Sequence, residues 1–191
     1  LFAQRENLVL EGLTDHWYLD ATAQLLRDEG GAVLNDGIAM VAAGNAGKVV
    51  YYATILHAQN LKVAALLDSD AAGDQAANQD VLVHTLGNKR ILRTKDAYSG
   101  AVTKPEIEDL LRETLIAVAK DALGWDVAAT ATAQPARPIT DVFAEQVADF
   151  SKYRLAKAYV RWTRDHKASE LTPGERAQWA ALIERINGAF V

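Results

Sequence analysis

The sequence predicts an α/β domain, a Rossmann-like core with about four parallel strands flanked by helices and an α-helical C-terminal appendage. Three observations predict it. Short apolar runs alternate with segments of helical length through the first half of the chain, acidic residues stand where those runs end, and the last third carries helical periodicity. Alternation at this spacing favours parallel pairing, because each parallel strand needs a crossover, and crossover helices cover both faces of the sheet.

In chain order, "NLVLE" (7–11) reads as a buried strand and Thr14 to Asp28 as a helix closed by Gly30 and Gly31. "GIAMVAAG" (37–44) is a second strand, Lys48 to Gln59 a helix, and "LKVAALLD" (61–68) a third strand. A helical stretch then runs to Leu86, and "KRILRT" (89–94) is the fourth strand. Pro105 opens a helix through about Leu123, since proline suits the first helical position. "AATATAQPARPIT" (128–140) is aperiodic and proline-containing, and reads as a loop or linker. Thr172, Pro173 and Glu175 form a helix-start signal, and the helix they open carries Trp179, Leu182, Ile183 and Ile186 on one face. These readings divide the chain into an α/β core over 1–111 and a helical region over 112–191.

Composition narrows the function. With 191 residues, half of them apolar, the chain is long enough to bury a sizeable core. A net charge of -5 argues against a plain basic nucleic-acid binder, though not against one bridged by metal. The absence of cysteine rules out disulfides and thiolate zinc sites and fits a reducing compartment such as the cytoplasm. No apolar run approaches 20 residues, so no membrane span is expected. The start at "LFAQRENLVLEG", without methionine or signal peptide, reads as a soluble piece of a longer protein. His16, His57, His84 and His166 lack zinc spacing and read as structural or surface residues. Trp17, Trp125, Trp162 and Trp179 read as core or interdomain packing.

The acidic residues carry the chemistry. In an open parallel sheet the functional crevice lies at the carboxyl ends of the strands, where Glu11, Asp68 and Asp70 stand. Asp68 and Asp70 fall on the same side of an extended chain, and two negative charges at about 4 Å repel by about 4 kcal/mol at an effective dielectric of 20. A hard cation such as magnesium would relieve that repulsion. The structural alternative makes Asp70 the cap of the next helix and Asp68 a strand end. Glu11 and Asp15 can converge across one turn, with Gly12 between them. Glu106 and Glu108 share a face only if the backbone there is extended; on a helix they diverge by about 200° and merely mark an acidic helix start.

These spaced motifs, "LVLEGLTD", "LLDSDAAG" and "EIEDLL", resemble the signature of the TOPRIM domain, and in particular of the OLD family of nucleases. The resemblance covers residues 1 to about 111. It implies a site for two divalent ions, Mg2+ or Mn2+, that cuts the DNA backbone as an endonuclease, with Glu11, Asp15, Asp68, Asp70, Glu106 and Glu108 as ligands. Glu11 could alternatively serve as general base. The implied partners are DNA and an N-terminal ABC-type ATPase domain in the full-length chain, with a homodimer as a compatible assembly and no membrane. The chain itself has no ATPase module: "AAGNAGKVV" lacks the first glycine of a phosphate loop and the Ser or Thr after Lys48. Lys48 then reads as a cation near the site or as a solvated lysine.

The family also uses a lysine from its helical part, and helix phase selects one. Arg154, Lys157, Arg161 and Arg164 recur at spacings of three and four, forming a basic stripe that tracks DNA phosphates or is simply solvated. Lys152 lies off that stripe and aligns with Ala156, Tyr159 and Thr163, the less polar face. An inward lysine needs an anion, so Lys152 is assigned to the metal site or the scissile phosphate; the alternatives are a snorkelling lysine at a helix start, or Lys157 as the inward one. Residues 151–191 hold eight basic side chains against four acidic ones, opposite to the rest of the chain. Two rival functions stay open. One is a phosphoryl-transfer domain with Asp68 as the phosphorylated nucleophile; the other is a metal-dependent binding module that does not cut.

Overall fold

The computed structural model describes residues 5–191. Strands β1 (Glu6–Leu10), β2 (Ile38–Ala42), β3 (Lys62–Leu67) and β4 (Ile91–Arg93) form a four-stranded parallel sheet in the order β2-β1-β3-β4. The helices are α1 (Leu13–Asp28), α2 (Ala46–Ala58), α3 (Ala71–Ala77), α4 (Asp80–Leu86), α5 (Arg112–Leu123), α6 (Ala128–Ala133), α7 (Ile139–Gln146), α8 (Lys152–Trp162) and α9 (Pro173–Gly188).

β1 and β3 are the central strands, and Leu8 to Leu10 and Val63 to Leu67 are buried without a break because both faces of the sheet are covered. Leu8, Leu10, Ala64 and Leu66 face a core shared with α1, α5, α7, α8 and α9, whereas Val9, Val63, Ala65 and Leu67 face α2 and α4. The helical region thus packs on one sheet face as a continuation of its core. Tyr159 of α8 locks onto α1 through a 2.8 Å hydroxyl contact with Thr22 and a ring contact with Tyr18, with centroids 5.5 Å apart. A buried hydrogen bond of this kind is worth about 1 kcal/mol net, and its greater effect is to fix the phase of α8. Glu175, 1% exposed, ties α9 to α5 by accepting from the Thr114 amide and hydroxyl as well as from the Thr172 amide.

Several expected boundaries are corrected. Pro105 does not open a helix: residues 107–111 form a 3-10 turn and α5 starts at Arg112. The Ile107 amide donates to Asp68 Oδ1 and the Glu106 amide to Asp109 Oδ2, holding Glu106 extended at φ -91°, ψ 171°. Residues 128–140 are not wholly loop, since the alanine-rich start forms α6 and α7 begins straight after Pro138. The stretch expected as one helix to Leu86 breaks at Asn78 and Gln79 into α3 and α4. α8 ends at Trp162, so Arg164 lies in the following turn. Among the described residues no helix is long and apolar enough to cross a membrane.

Candidate functional site

The carboxyl ends of the two central strands meet first. Leu10 is in register with Leu66, so Glu11 and Asp68 leave the sheet side by side, and the Asp68 amide donates to Glu11 Oε1 at 2.8 Å. On the other flank, the Gly44 amide after β2 donates to the Glu11 carbonyl at 2.7 Å. Asp15, in the first turn of α1, folds back so that its Oδ2 accepts from the Gly12 amide at 2.8 Å. Asp70 caps α3 by accepting from the Gly73 amide at 2.7 Å. The capping role weighed from the sequence is therefore present in Asp70, and it occupies one of the two carboxylate oxygens.

Asp68 Oδ1 accepts from Thr94 Oγ1 at 2.9 Å and from the Ile107 amide at 2.8 Å. The second contact draws the segment with Glu106 and Glu108 over the strand ends. Because Glu106 is extended and Glu108 lies within the 3-10 turn, the two do not diverge as they would on an α-helix. Both reach the first residue of α8: Lys152 Nζ is 2.8 Å from Glu106 Oε2 and 3.9 Å from Glu108 Oε1. Glu106 Oε2 also accepts from Thr140 Oγ1 at 2.6 Å. Lys152 itself stays partly accessible, with 43% of its side chain exposed.

The charges in this cluster are costly without a counter-ion. Burial pushes the Glu11 carboxyl up to about 7; the Asp68 amide opposes the rise, and Asp15 and Asp70 add to it. Burial likewise raises Glu108 to about 8, with Lys152 opposing and Glu106 and Asp15 adding. Asp68 lies well above its ordinary value, through burial first and then through Asp15, Glu108, Glu11 and Glu106. Asp15 is raised by burial against the Gly12 amide and Lys152. Burial favours the neutral form of Lys152, but Glu108 and Glu106 outweigh it and hold the ammonium above the usual lysine range.

Both carboxylate oxygens of Glu108 are buried and accept no hydrogen bond. An ionised carboxyl in that state is expensive unless a cation meets it, and a cluster of hard oxygens fits magnesium or manganese. Among the described residues no three acidic or histidine side chains already surround a common point closely enough to hold an ion. Glu11, Asp15, Asp68 and Asp70 each have an oxygen drawn to a backbone amide, so ligation calls for rotation of terminal carboxylate torsions, which are soft.

Several positioning residues escape sequence reasoning. Arg93, at the end of β4, donates through Nη2 to the Asp68 carbonyl at 2.5 Å and to Asp74 Oδ1 at 2.8 Å. Its place at a strand end, like that of Thr94, was a usable signal. Asp109 and Thr140 act across 30 and 34 residues, on Ile139 and Glu106, and no local pattern marks them. Gly73 is required sterically: a Cβ there would stand 2.0 Å from the Asp68 carbonyl oxygen and 3.0 Å from Glu11 Oε1.

The basic residues sit apart from the carboxylates. Lys48 is exposed on the first turn of α2 and forms no ion pair among the described residues. Arg154 pairs with Asp149 at 2.5 Å and lies 4.8 Å over the Trp125 ring. Lys157 lies 4.7 Å over the Tyr153 ring, and Arg161 and Arg164 are exposed.

Fold and site together define an α/β domain with a carboxylate cluster, closed over by one lysine, at the strand ends of a parallel sheet. The fold is that of the C-terminal region of the Xanthomonas campestris pv. campestris OLD protein. One structure of that region, phased with mercury, matches with a TM-score of 0.59 at 15% identity over 98% of each chain. A second, phased with iodine, matches with a TM-score of 0.58 at 14% identity over 98% of each chain. No protein-family model matches the chain, and no curated protein matches its sequence.

Proposed function

We propose that this chain is the catalytic region of a metal-dependent DNA endonuclease. The observation that carries the reading is the half-buried cluster of Glu11, Asp15, Asp68, Glu106 and Glu108, joined by Asp70 on its rim, with Lys152 as its ammonium and the buried Glu108 accepting no hydrogen bond. The likeness to an OLD C-terminal region supports it at the level of fold. The six carboxylates would hold two divalent ions, which when bound supply Lewis acidity at the attacking water and at the leaving oxygen.

The side chains do the rest. Glu11 takes the proton of the attacking water as the new P–O bond forms, and the opposite ester P–O bond breaks, its oxygen leaving to be protonated from solvent. Lys152, held by Glu106, offsets the negative charge that builds on the phosphoryl oxygens. Asp68 is fixed by Thr94 and Arg93, which keeps the cluster in place during turnover. Lys48, Arg154, Lys157, Arg161 and Arg164 would steer DNA phosphates to the strand ends. In the longer protein an N-terminal ATPase domain would accompany this region, in a cytoplasmic setting.

The direct experiment is incubation of supercoiled plasmid with the chain in Mn2+, in Mg2+ and in EDTA. Nicked or linear product with metal alone supports the reading. DNA retention on the chain in metal without any product would instead assign a binding module.

A further inference from the structure

Two grooves flank the basic stripe, and they differ in charge. The groove between α5 and α8, about 360 Å³, carries Asp121 and Asp165 along with Arg154, Lys157 and Arg161, so its cations have local counter-charges. The other, about 420 Å³, lies between α1 and the end of α8 and is lined by Trp17, Lys157, Val160, Arg161 and Arg164. It holds three cations, one indole and no carboxylate. Trp17 packs against Tyr153 with centroids 4.7 Å apart at 48°, and Tyr153, 44% exposed, is covered by the Lys157 ammonium.

Resting on the nuclease reading, we propose that this second groove takes an unpaired stretch of the DNA strand, with a base against Trp17 and its phosphates on Lys157, Arg161 and Arg164. Aromatic platforms beside a cationic track are the means by which proteins hold single strands without sequence preference, whereas a base inside a duplex has both faces covered by its stacked neighbours. The groove is built on the same two helices that carry Asp15 and Lys152. Trp17 follows Asp15 by two residues on α1, and Tyr153 follows Lys152 on α8. At 1.5 Å per residue, Lys157 and Arg161 lie about 7.5 and 13.5 Å along the helix from Lys152. The substrate class is therefore single-stranded, frayed or flapped DNA in preference to closed duplex.

The test compares Kd for a fluorescent 12-nucleotide thymidine strand and for the same strand paired with its complement, in calcium. Wild type should bind the single strand more tightly. Trp17→Leu, which keeps apolar bulk but removes the aromatic face, should lower the ratio of single-strand to duplex affinity by about 5- to 150-fold, the range lost with one base–aromatic stack. Trp17→Phe should keep most of the preference. Tighter duplex binding by wild type, or equal behaviour of the leucine and phenylalanine variants, overturns the groove assignment. Cleavage in manganese is scored separately: a chain that cuts but shows no aromatic dependence loses only the groove, and one that binds single strands through Trp17 but never cuts loses only the nuclease reading.

Discussion

The Lys152 ammonium stands 2.8 Å from Glu106 Oε2 across a separation of 46 residues, so the helical region closes the strand-end cluster with a positive charge. Tyr159, two turns further along α8, is pinned to Thr22 and sets the phase that aims Lys152 at the glutamates. The contact divides the roles of the two lysines on this helix.

If Lys152 stabilises the transition state, Lys152→Met lowers the single-turnover cleavage rate by about 100-fold or more and leaves DNA affinity nearly unchanged. Lys157→Ala should do the reverse, weakening binding and flattening its salt dependence by about one counter-ion. Rapid-quench cleavage and a salt series of binding isotherms measure the pair. Exchange of the two phenotypes would mean that Lys157 does the chemistry.

Metal-free stability should fall between about pH 4.5 and pH 8. Glu11 and Glu108 are raised by burial, to about 7 and about 8, so the folded state holds protons that the unfolded chain releases near its ordinary carboxylate pKa. Their stabilising contribution is complete below the unfolded value and is lost as pH rises through the folded ones. Thermal melting in EDTA should show Tm declining over this window, with the decline smaller in Glu108→Gln. A Tm that rises from pH 5 to pH 8 would refute the charge frustration.

Asp68 and Asp70 should differ in the absence of metal. Asp68→Asn keeps an oxygen for Thr94 and the Ile107 amide while removing a charge that its neighbours repel, so Tm in EDTA holds or rises. Asp70→Ala deletes a helix cap and should cost about 1 kcal/mol. Both should abolish cleavage. Retained cleavage in either variant would reduce that residue to a structural role.

Gly73→Ala should impair cleavage and lower stability by about 1–3 kcal/mol, because the added carbon meets the Asp68 carbonyl rather than a side chain that can turn away. Activity and Tm at wild-type levels would show that α3 shifts freely.

The strands were legible because β1 and β3 are buried on both faces, so that Leu8 to Leu10 and Val63 to Leu67 appear as apolar runs; the gathering of the acidic residues was legible because they follow neighbouring parallel strands at their carboxyl ends. What could not be read depends on distant partners. Glu106 stays extended because Asp68 and Asp109 capture the amides of Ile107 and Glu106, and nothing within "KPEIEDLL" foretells that. Thr140 and Arg93 join the site through side chains reaching across 34 and 25 residues. α6 was hidden by Pro135 and Pro138, which follow the alanine-rich turn without interrupting it.

The most direct measurement is anomalous diffraction from a crystal of the chain soaked in manganese. The account predicts two peaks at the strand ends, about 4 Å apart, contacted by oxygens drawn from Glu11, Asp15, Asp68, Asp70, Glu106 and Glu108, with Glu108 among them. A data set with no peak there, and with Glu108 still without a metal ion or hydrogen-bond donor, would contradict it.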